Sequence, residues 1–294
     1  MRALVAFADA DCNLTRAGQA LGLSQPAVHG RLAAAGISFG KPLYERRGRS
    51  LALTDAGRSV LGWARDVVEG ETRVRAEVSG VASAEQIVVA CGEGALVHLV
   101  APRLAPFARE APGVLAFRVL GGAAALAAVA EGRAHLAVTV ASVAEGAPLL
   151  TSRVLLESGV VALFPAATPC PSRPAELLDH ALLLPPRGRP LREQFEGLAG
   201  LHRKPLRVAV EVTGREAGLR LSELGVGIGI VNDFVETPGL QRRAIVGTTR
   251  VTYAVFHRPG RSSPRLARVL AFLTGEAGAP RPARRHAATP QLQT

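Results

Sequence analysis

The sequence predicts an α/β chain in two parts. A helical N-terminal segment contains a helix-turn-helix, and a doubly wound sheet of alternating strands and helices follows one long helix. Three observations carry this reading. The chain has 294 residues, more than one ordinary core holds. Short helical stripes fill residues 2 to about 55, and a seam of apolar residues runs on from there. Beyond residue 85, short apolar runs alternate with helical segments, the order that builds parallel sheets. At 48% hydrophobic and 20% charged, the composition supplies ample core and excludes wholesale disorder. Only 4% of residues are aromatic and about one in six is alanine, which favours helix.

Leu4, Phe7 and Ala8 form the apolar stripe of a first helix. Asn13 has the chemistry of an N-cap for a second, with Ala17, Ala20 and Leu21 facing inward. Gly22-Leu23 makes a short turn. Ser24 then caps a third helix, and Pro26 is tolerated in its first turn. Val28, Leu32 and Ala35 face the core, and two helices joined by so short a glycine-containing turn form a helix-turn-helix. A hairpin follows, with Arg46, Arg47, Gly48 and Arg49 at its tip and Leu51 and Leu53 returning to the core.

Thr54-Asp55-Ala56-Gly57 caps a long helix. Along it Val60, Ala64, Val67, Glu71, Val74, Val78 and Val81 recur at spacings of four and three, a seam that two chains bury against each other. Glu71 weakens that seam or fixes its register, and packing within one chain is the other use of the same stripe. Val81 to Ala84 reads as a hinge. Strands are then predicted at 86–90, 114–120, 136–140, 154–164, 182–184, 207–212 and 228–231, and helices at 96–110, 123–131 and 216–224. Ligand space is expected at the carboxyl ends of such strands. The residues after Gly275 read as a disordered tail rich in Ala, Pro and Arg.

The net charge of +11 points to a polyanionic partner, nucleic acid first and an anionic membrane second. Only Lys41 and Lys204 are lysines among 35 basic residues, however, a bias that genomic base composition also produces. Residues 1–83 hold 11 Arg and Lys against 8 Asp and Glu, so most of the surplus lies outside the helix-turn-helix. Cys12, Cys91 and Cys170 are too few and too far apart for a disulfide framework or a zinc site, and they fit a reducing cytosol. The N-terminus has no signal-peptide pattern. The longest apolar run, Val119 to Ala130, is about a dozen residues, short of the roughly 20 that span a membrane. Enzyme motifs are missing: Gly225-Val226-Gly227-Ile228-Gly229 lacks dinucleotide spacing and precedes a strand, and no Walker loop, nucleophile elbow or zinc helix occurs.

Four N-terminal blocks, Asn13-Leu14-Thr15-Arg16-Ala17, Leu21-Gly22-Leu23-Ser24-Gln25-Pro26-Ala27-Val28, Gly40-Lys41-Pro42-Leu43-Tyr44-Glu45-Arg46 and Leu53-Thr54-Asp55-Ala56-Gly57, together resemble the winged helix of LysR-type transcriptional regulators. Their order and spacing match over nearly all of residues 1–80. More weakly, Pro102, Phe107, Pro112-Gly113-Val114, Glu131-Gly132-Arg133 and Leu224-Gly225-Val226-Gly227-Ile228-Gly229 resemble blocks of that family's effector domain. The resemblance implies a winged helix-turn-helix over 1–57, a linker or dimerisation helix and hinge over 58–84, and an effector-binding domain over 85–275. A disordered tail over 276–294 completes the expected division. The effector domain is expected as two Rossmann-like subdomains, periplasmic-binding-protein-like, with a small-molecule effector of unspecified identity between them. The resemblance further implies double-stranded promoter DNA as partner, a homodimer or homotetramer, RNA polymerase as a candidate contact, a cytoplasmic location, no membrane and no cofactor. The sequence departs from the family at His29 (usually serine), Gly30 (often arginine), Ala35-Gly36 (usually Leu-Glu), His135 (usually aspartate) and Asn232 (usually proline).

Candidate DNA-binding residues are Ser24, Gln25, Pro26 and His29 on the third helix and Arg46, Arg47 and Arg49 on the hairpin. Gln25 can pair bidentately with adenine, or serve only as a cap; His29 can reach a base edge or phosphate, or stand as a surface residue. The arginines suit a wing on phosphates or in a minor groove, with Arg46 also a candidate for bonding the fold from within. Candidate effector-binding residues are Cys91, Gly92, Glu93 and Gly94 after the first strand, Thr139 closing the third, and Thr213 and Arg215 in an apparent capping box, Thr213-Gly214-Arg215-Glu216. Glu93 would repel a carboxylate, whereas Arg215 would attract one. Pro186-Arg187-Gly188-Arg189 is either a pocket rim or a solvated loop. Cys91 is either a redox sensor or a small buried residue, and His98 and His135 are either ligands or satisfied interior groups. The rival to a regulator is a solute-binding or metabolic α/β protein whose helix-turn-helix serves only partner contacts.

Overall fold

Three N-terminal helices, α1 (Arg2–Asp9), α2 (Leu14–Leu21) and α3 (Gln25–Ser38), bury Leu4, Phe7, Ala17, Val28 and Leu32 against one another. These come from a computed structural model that describes residues 1–79, 86–144, 150–165, 168, 174–237, 239–245, 250–260 and 263–276. Local chemistry sets each start. The Asn13 side chain accepts from the N–H groups of Thr15 and Arg16, both at 3.0 Å, and Ser24 Oγ accepts from Ala27 N–H at 3.4 Å. Gly22, at φ +65°, ends α2 in the left-handed conformation. Ala20 is exposed rather than buried, because the inward face of α2 is centred on Ala17, Gly18 and Leu21.

The hairpin pairs β1 (Tyr44–Arg47) with β2 (Ser50–Leu53), Arg47 opposite Ser50 across a turn in which Gly48 has φ +62°. Thr54 Oγ1 accepts from Gly57 N–H at 2.9 Å and donates to the Pro42 carbonyl at 2.7 Å, which ties the next helix to the hairpin. That helix, α4 (Asp55–Val78), spans 24 residues, roughly 36 Å. Its apolar seam divides. Val60 and Ala64 pack into the helix-turn-helix core, whereas Val67, Val74 and Val78 are exposed. Glu71, between them, binds Arg2 at 2.9 Å and Arg75 at 2.9 Å. Val81 and the expected hinge lie outside the described residues, as do residues 277–294 of the expected tail.

The remaining elements run β3 (Ile87–Cys91), α5 (Glu93–Ala95), a π-turn (Leu96–Val100), α6 (Ala101–Glu110), β4 (Leu115–Val119), α7 (Gly122–Ala130) and β5 (Leu136–Val140). After these come β6 (Thr151–Ser158), β7 (Val160–Pro165), α8 (Pro174–Leu177), β8 (Leu182–Leu184), α9 (Pro190–Leu201), β9 (Val208–Glu211) and α10 (Arg215–Glu223). The last are β10 (Ile228–Asn232), β11 (Leu240–Ala244), β12 (Val251–His257) and α11 (Pro264–Thr274). They form two lobes, each on a five-stranded sheet, in the orders β4-β3-β5-β12-β6 and β11-β7-β10-β8-β9.

Both sheets are mixed, which corrects the expectation of a purely parallel one. Pairs β3/β4, β3/β5, β8/β9 and β8/β10 are parallel, while β5/β12, β6/β12, β7/β10 and β7/β11 are antiparallel. The cause is the chain's route. It leaves the first sheet at Gly159, which splits the apolar run 154–164 between β6 and β7, and returns only in β12. Asp233 staples this crossing, accepting from Ser158 Oγ and Gly159 N–H at 2.9 Å each. Leu99, Leu104, Phe107, Leu266 and Val269 cover one face of the first sheet, and Phe195 and Leu177 pack on Phe164 and Leu182 of the second.

A Cβ added at Gly57 would fall inside the Leu43 carbonyl group. Backbone cannot yield as a flexible side chain does, so Gly57→Ala is expected to destabilise the N-terminal domain by about 2 kcal/mol or more. Thermal unfolding of the full-length chain checks this; an unchanged first transition would contradict the packing described.

Candidate DNA-reading face and ligand cleft

The capped start of α3 turns one of its faces into the core and leaves the other open to solvent. Val28, Leu32 and Gly36 are buried, while Ser24, Gln25, Pro26, His29, Gly30 and Ala33 are exposed. The His29 ring meets Tyr44 edge-on, with centroids 6.1 Å apart, which braces the helix face against the hairpin. Nothing lies within 4 Å of a Cβ built at Gly30, so a flat stretch of open surface follows His29. Gly36 has a different reason: its Cβ would stand 3.2 Å from the Lys41 carbonyl, where the chain doubles back. On the hairpin, Arg46 Nε donates to the Gly48 carbonyl at 3.1 Å and so bonds the turn. Arg47 pairs with Glu45 at 2.9 Å, and Arg49 is exposed with no partner among the described residues. These exposed pairs are weak enough to exchange for phosphates.

Between the two lobes lies a cleft of about 530 Å³. Gly92, Glu93 and Gly94 line it from the first lobe together with Thr139 of β5 and Tyr253 of β12. Thr213, Gly214 and Arg215 line it from the second lobe, with Asn232 at the end of β10. Arg215 lies across the cleft: a Cβ at Gly94 would stand 2.7 Å from its Nε, so only glycine lets the guanidinium settle there. Its Nη2 donates to Asn232 Oδ1 at 2.7 Å, and its Cζ sits 5.7 Å from the Phe234 ring centroid. Its Nη1 is buried and has no hydrogen-bond partner among the described residues. Tyr253 O–H donates to the same Asn232 oxygen at 3.3 Å. The departure from proline at 232 therefore supplies the acceptor that holds both groups.

Several expectations need correction. Cys91 does not line the cleft; it is fully buried, and burial pushes its thiol up to about 12. Period-two alternation along β3 turns Val89 and Cys91 into the core one residue before the cleft loop begins. The capping box does not form, because Gly214 is the N-cap of α10 and no side chain caps it. Thr213 is an exposed rim residue, and Glu216 is engaged elsewhere, 2.8 Å from His98 Nε2 across the lobes. Arg189 of the basic loop lines the rim, whereas Arg187 points to Glu196 at 3.4 Å. Thr139 needs no such correction: it lines the cleft while largely buried beside Gly122. His135 is interior, its Nδ1 accepting from Val88 N–H at 2.9 Å. Nothing in the sequence marks Asn232 and Tyr253 as site residues, because the groups they bond lie 17 and 21 positions away and no local pattern signals them.

Among the described residues, no His, Cys, Asp or Glu cluster could hold a metal ion, and no helix is long and apolar enough to cross a membrane. A helix-turn-helix with an exposed second helix, joined by a long helix to a two-lobed cleft, defines a ligand-responsive DNA-binding protein. Comparison with known proteins narrows the class. Residues 1–58 match the bacterial regulatory helix-turn-helix model of the lysR family, and residues 82–278 match the LysR substrate binding domain. The chain is 27% identical over 207 residues to the HTH-type transcriptional activator IlvY of Salmonella typhimurium, covering 67% of this chain and 69% of that protein. Its fold is similar to that of ArgP from Mycobacterium tuberculosis (TM-score 0.71, 17% identity, 94% of this chain and 96% of the other). LysG from Corynebacterium glutamicum, solved with bound effector Arg, is similar too (TM-score 0.68, 19% identity, 94% and 95%). The chain belongs to the LysR family: it is a DNA-binding transcriptional regulator with an effector-binding domain, not a metabolic enzyme.

The raised Cys91 thiol stays protonated through the range in which free thiols ionise. With iodoacetamide at about pH 8.5, near the ordinary thiol value, Cys91 is expected to stay unmodified in the native chain and to react once denatured. Peptide mass spectrometry reads this; rapid native labelling would revive a redox role.

Proposed function

We propose that the exposed face of α3 reads promoter DNA and that the cleft takes a small anionic effector, a carboxylate or a group of like charge, on Arg215. The observation that carries the ligand class is Arg215 itself, a cation that lines the cleft and whose buried Nη1 has no acceptor among the described residues. Thr139, Tyr253 and the backbone around Gly92 and Gly94 supply further polar contacts, and Glu93 at the rim orients the acid end inward by repulsion. On the DNA side, Gln25 and His29 meet base edges in the major groove, Ser24 and Pro26 set the helix entry, and Arg46, Arg47 and Arg49 track phosphates. The exposed Val67, Val74 and Val78 pair two copies through the linker helix, giving a homodimer or a homotetramer that works in the cytoplasm on promoter DNA. RNA polymerase is the further partner that bound protomers would contact.

Gln25→Ala is expected to reduce the preference for operator over random DNA about tenfold or more, the scale of one bidentate base contact. Arg49→Ala should weaken both DNAs alike and lower the salt slope by about one. Fluorescence anisotropy on both DNAs separates these; equal losses for Gln25→Ala would contradict the docking. For the cleft, carboxylate metabolites that raise the melting temperature of the native chain should no longer do so with Arg215→Met. A shift that persists in this variant would move the anion site elsewhere.

A further inference from the structure

The linker helix α4 carries a second stripe that the seam does not use. Gly62, Arg65, Asp66 and Glu69 follow at i, i+3, i+4 and i+7, and at about 100° per residue they lie opposite Val67, Glu71, Val74 and Val78. This stripe rests on the first lobe of the same chain. A Cβ at Gly62 would fall inside the Ala130 carbonyl at the end of α7, and the Arg65 side chain packs on Gly132, whose Cβ would stand 2.7 Å from its Cδ. Arg258, almost fully buried just past β12, donates from Nε to Asp66 Oδ2 at 3.1 Å and from Nη2 to Asp66 Oδ1 at 2.5 Å. Its remaining arm donates to the Val129 carbonyl. His135, just before β5, has its Nε2 3.6 Å from Glu69 Oε2.

The same two strands end in the cleft. β5 and β12 pair antiparallel, with Tyr253 opposite Val140 and Phe256 opposite Ala137. One end of the pair therefore carries Thr139 and Tyr253 at the cleft, and the other, roughly 15 Å away, carries His135 and Arg258 at the linker helix. We propose that Arg258–Asp66 and His135–Glu69 form a clasp that passes the state of the cleft through β5 and β12 to the linker helix. A ligand that draws on Thr139 or Tyr253 shifts the strand pair along its length, because packed strands move as units. The clasp then changes its hold on α4, whose opposite face is the dimer seam. A partly buried bidentate ion pair suits this role, since its geometry, more than its net stability, is what two arrangements can distinguish.

The proposal rests on the cleft being the effector site, and hydrogen exchange of the full-length chain tests it without DNA or effector. Asp66→Asn should speed amide exchange at least about fivefold in α4 and also at the cleft end of the strands, residues 138–140 and 251–254. Reciprocally, Tyr253→Phe in the cleft should alter exchange in residues 62–69, and Asp66→Asn should abolish that response. Asp179→Asn, which breaks the exposed Lys204 pair in the other lobe, should leave both regions unchanged. Should Asp66→Asn fail to fold, Glu69→Gln takes its place with the same readouts. Changes confined to residues next to the substituted site, with the far end of β5 and β12 unaltered, would overturn the clasp. Such a result would leave the regulator reading standing, whereas loss of promoter binding in the native chain would remove that reading and not the clasp.

Discussion

The two lobes are held at one mutual angle by a few polar contacts, and the side-chain oxygen of Asn232 is the central one. It accepts from Arg215 on the second lobe and from Tyr253 on the first. Its neighbour Asp233 binds Ser158 and Gly159 where the chain crosses between the sheets. The interlobe crossing and the cleft thus share two adjacent residues. A hydrogen bond to a charged donor is worth roughly 1.5–3 kcal/mol, and its loss leaves a guanidinium desolvated without an acceptor, so the arrangement tolerates little drift. The third tie, His98 to Glu216, closes the same cleft from the other side. A ligand entering here would compete for groups that already set the interlobe angle.

What could be read from the sequence follows the range of the forces involved. Asn13, Ser24 and Thr54 bond amides only two or three residues on, so α2, α3 and α4 begin where the sequence says. Strand β5 sits in a run buried at nearly every position, and its sequence pattern marks the same bounds, Leu136–Val140. The failures are non-local. Gly159 looks like any glycine in an apolar run, and only the opposite sheet reveals that the chain changes lobes there. β12 pairs with strands about a hundred residues or more earlier, so nothing near it announces an antiparallel return. Thr213-Gly214-Arg215-Glu216 has the letters of a capping box, but His98, distant in sequence, takes the glutamate. α9 and α11 begin at prolines beside Gly- and Ser-rich turns, and those breakers masked the helices behind them.

Net charge proved a poor guide to the DNA face, which carries a small share of the +11. Placement decides more. Arg49 stands exposed at the tip of a hairpin braced through Tyr44 to His29, and Arg46 is partly spent on the turn itself. The linker helix is likewise specified by its faces. One side is a ladder of exposed valines and the other a stripe of Gly62, Arg65, Asp66 and Glu69 on the first lobe, so a single helix meets the cleft-bearing lobe on one face and leaves its valines open on the other.

Two copies are expected to place their α3 faces on one stretch of promoter DNA. Hydroxyl-radical footprinting of the full-length protein on the DNA upstream of its own gene tests it most directly. Two protected half-sites should appear on one face of the duplex, separated by about 10 base pairs or a multiple, and protection should weaken as salt rises. Uniform protection without half-sites, or none at low salt, would contradict it.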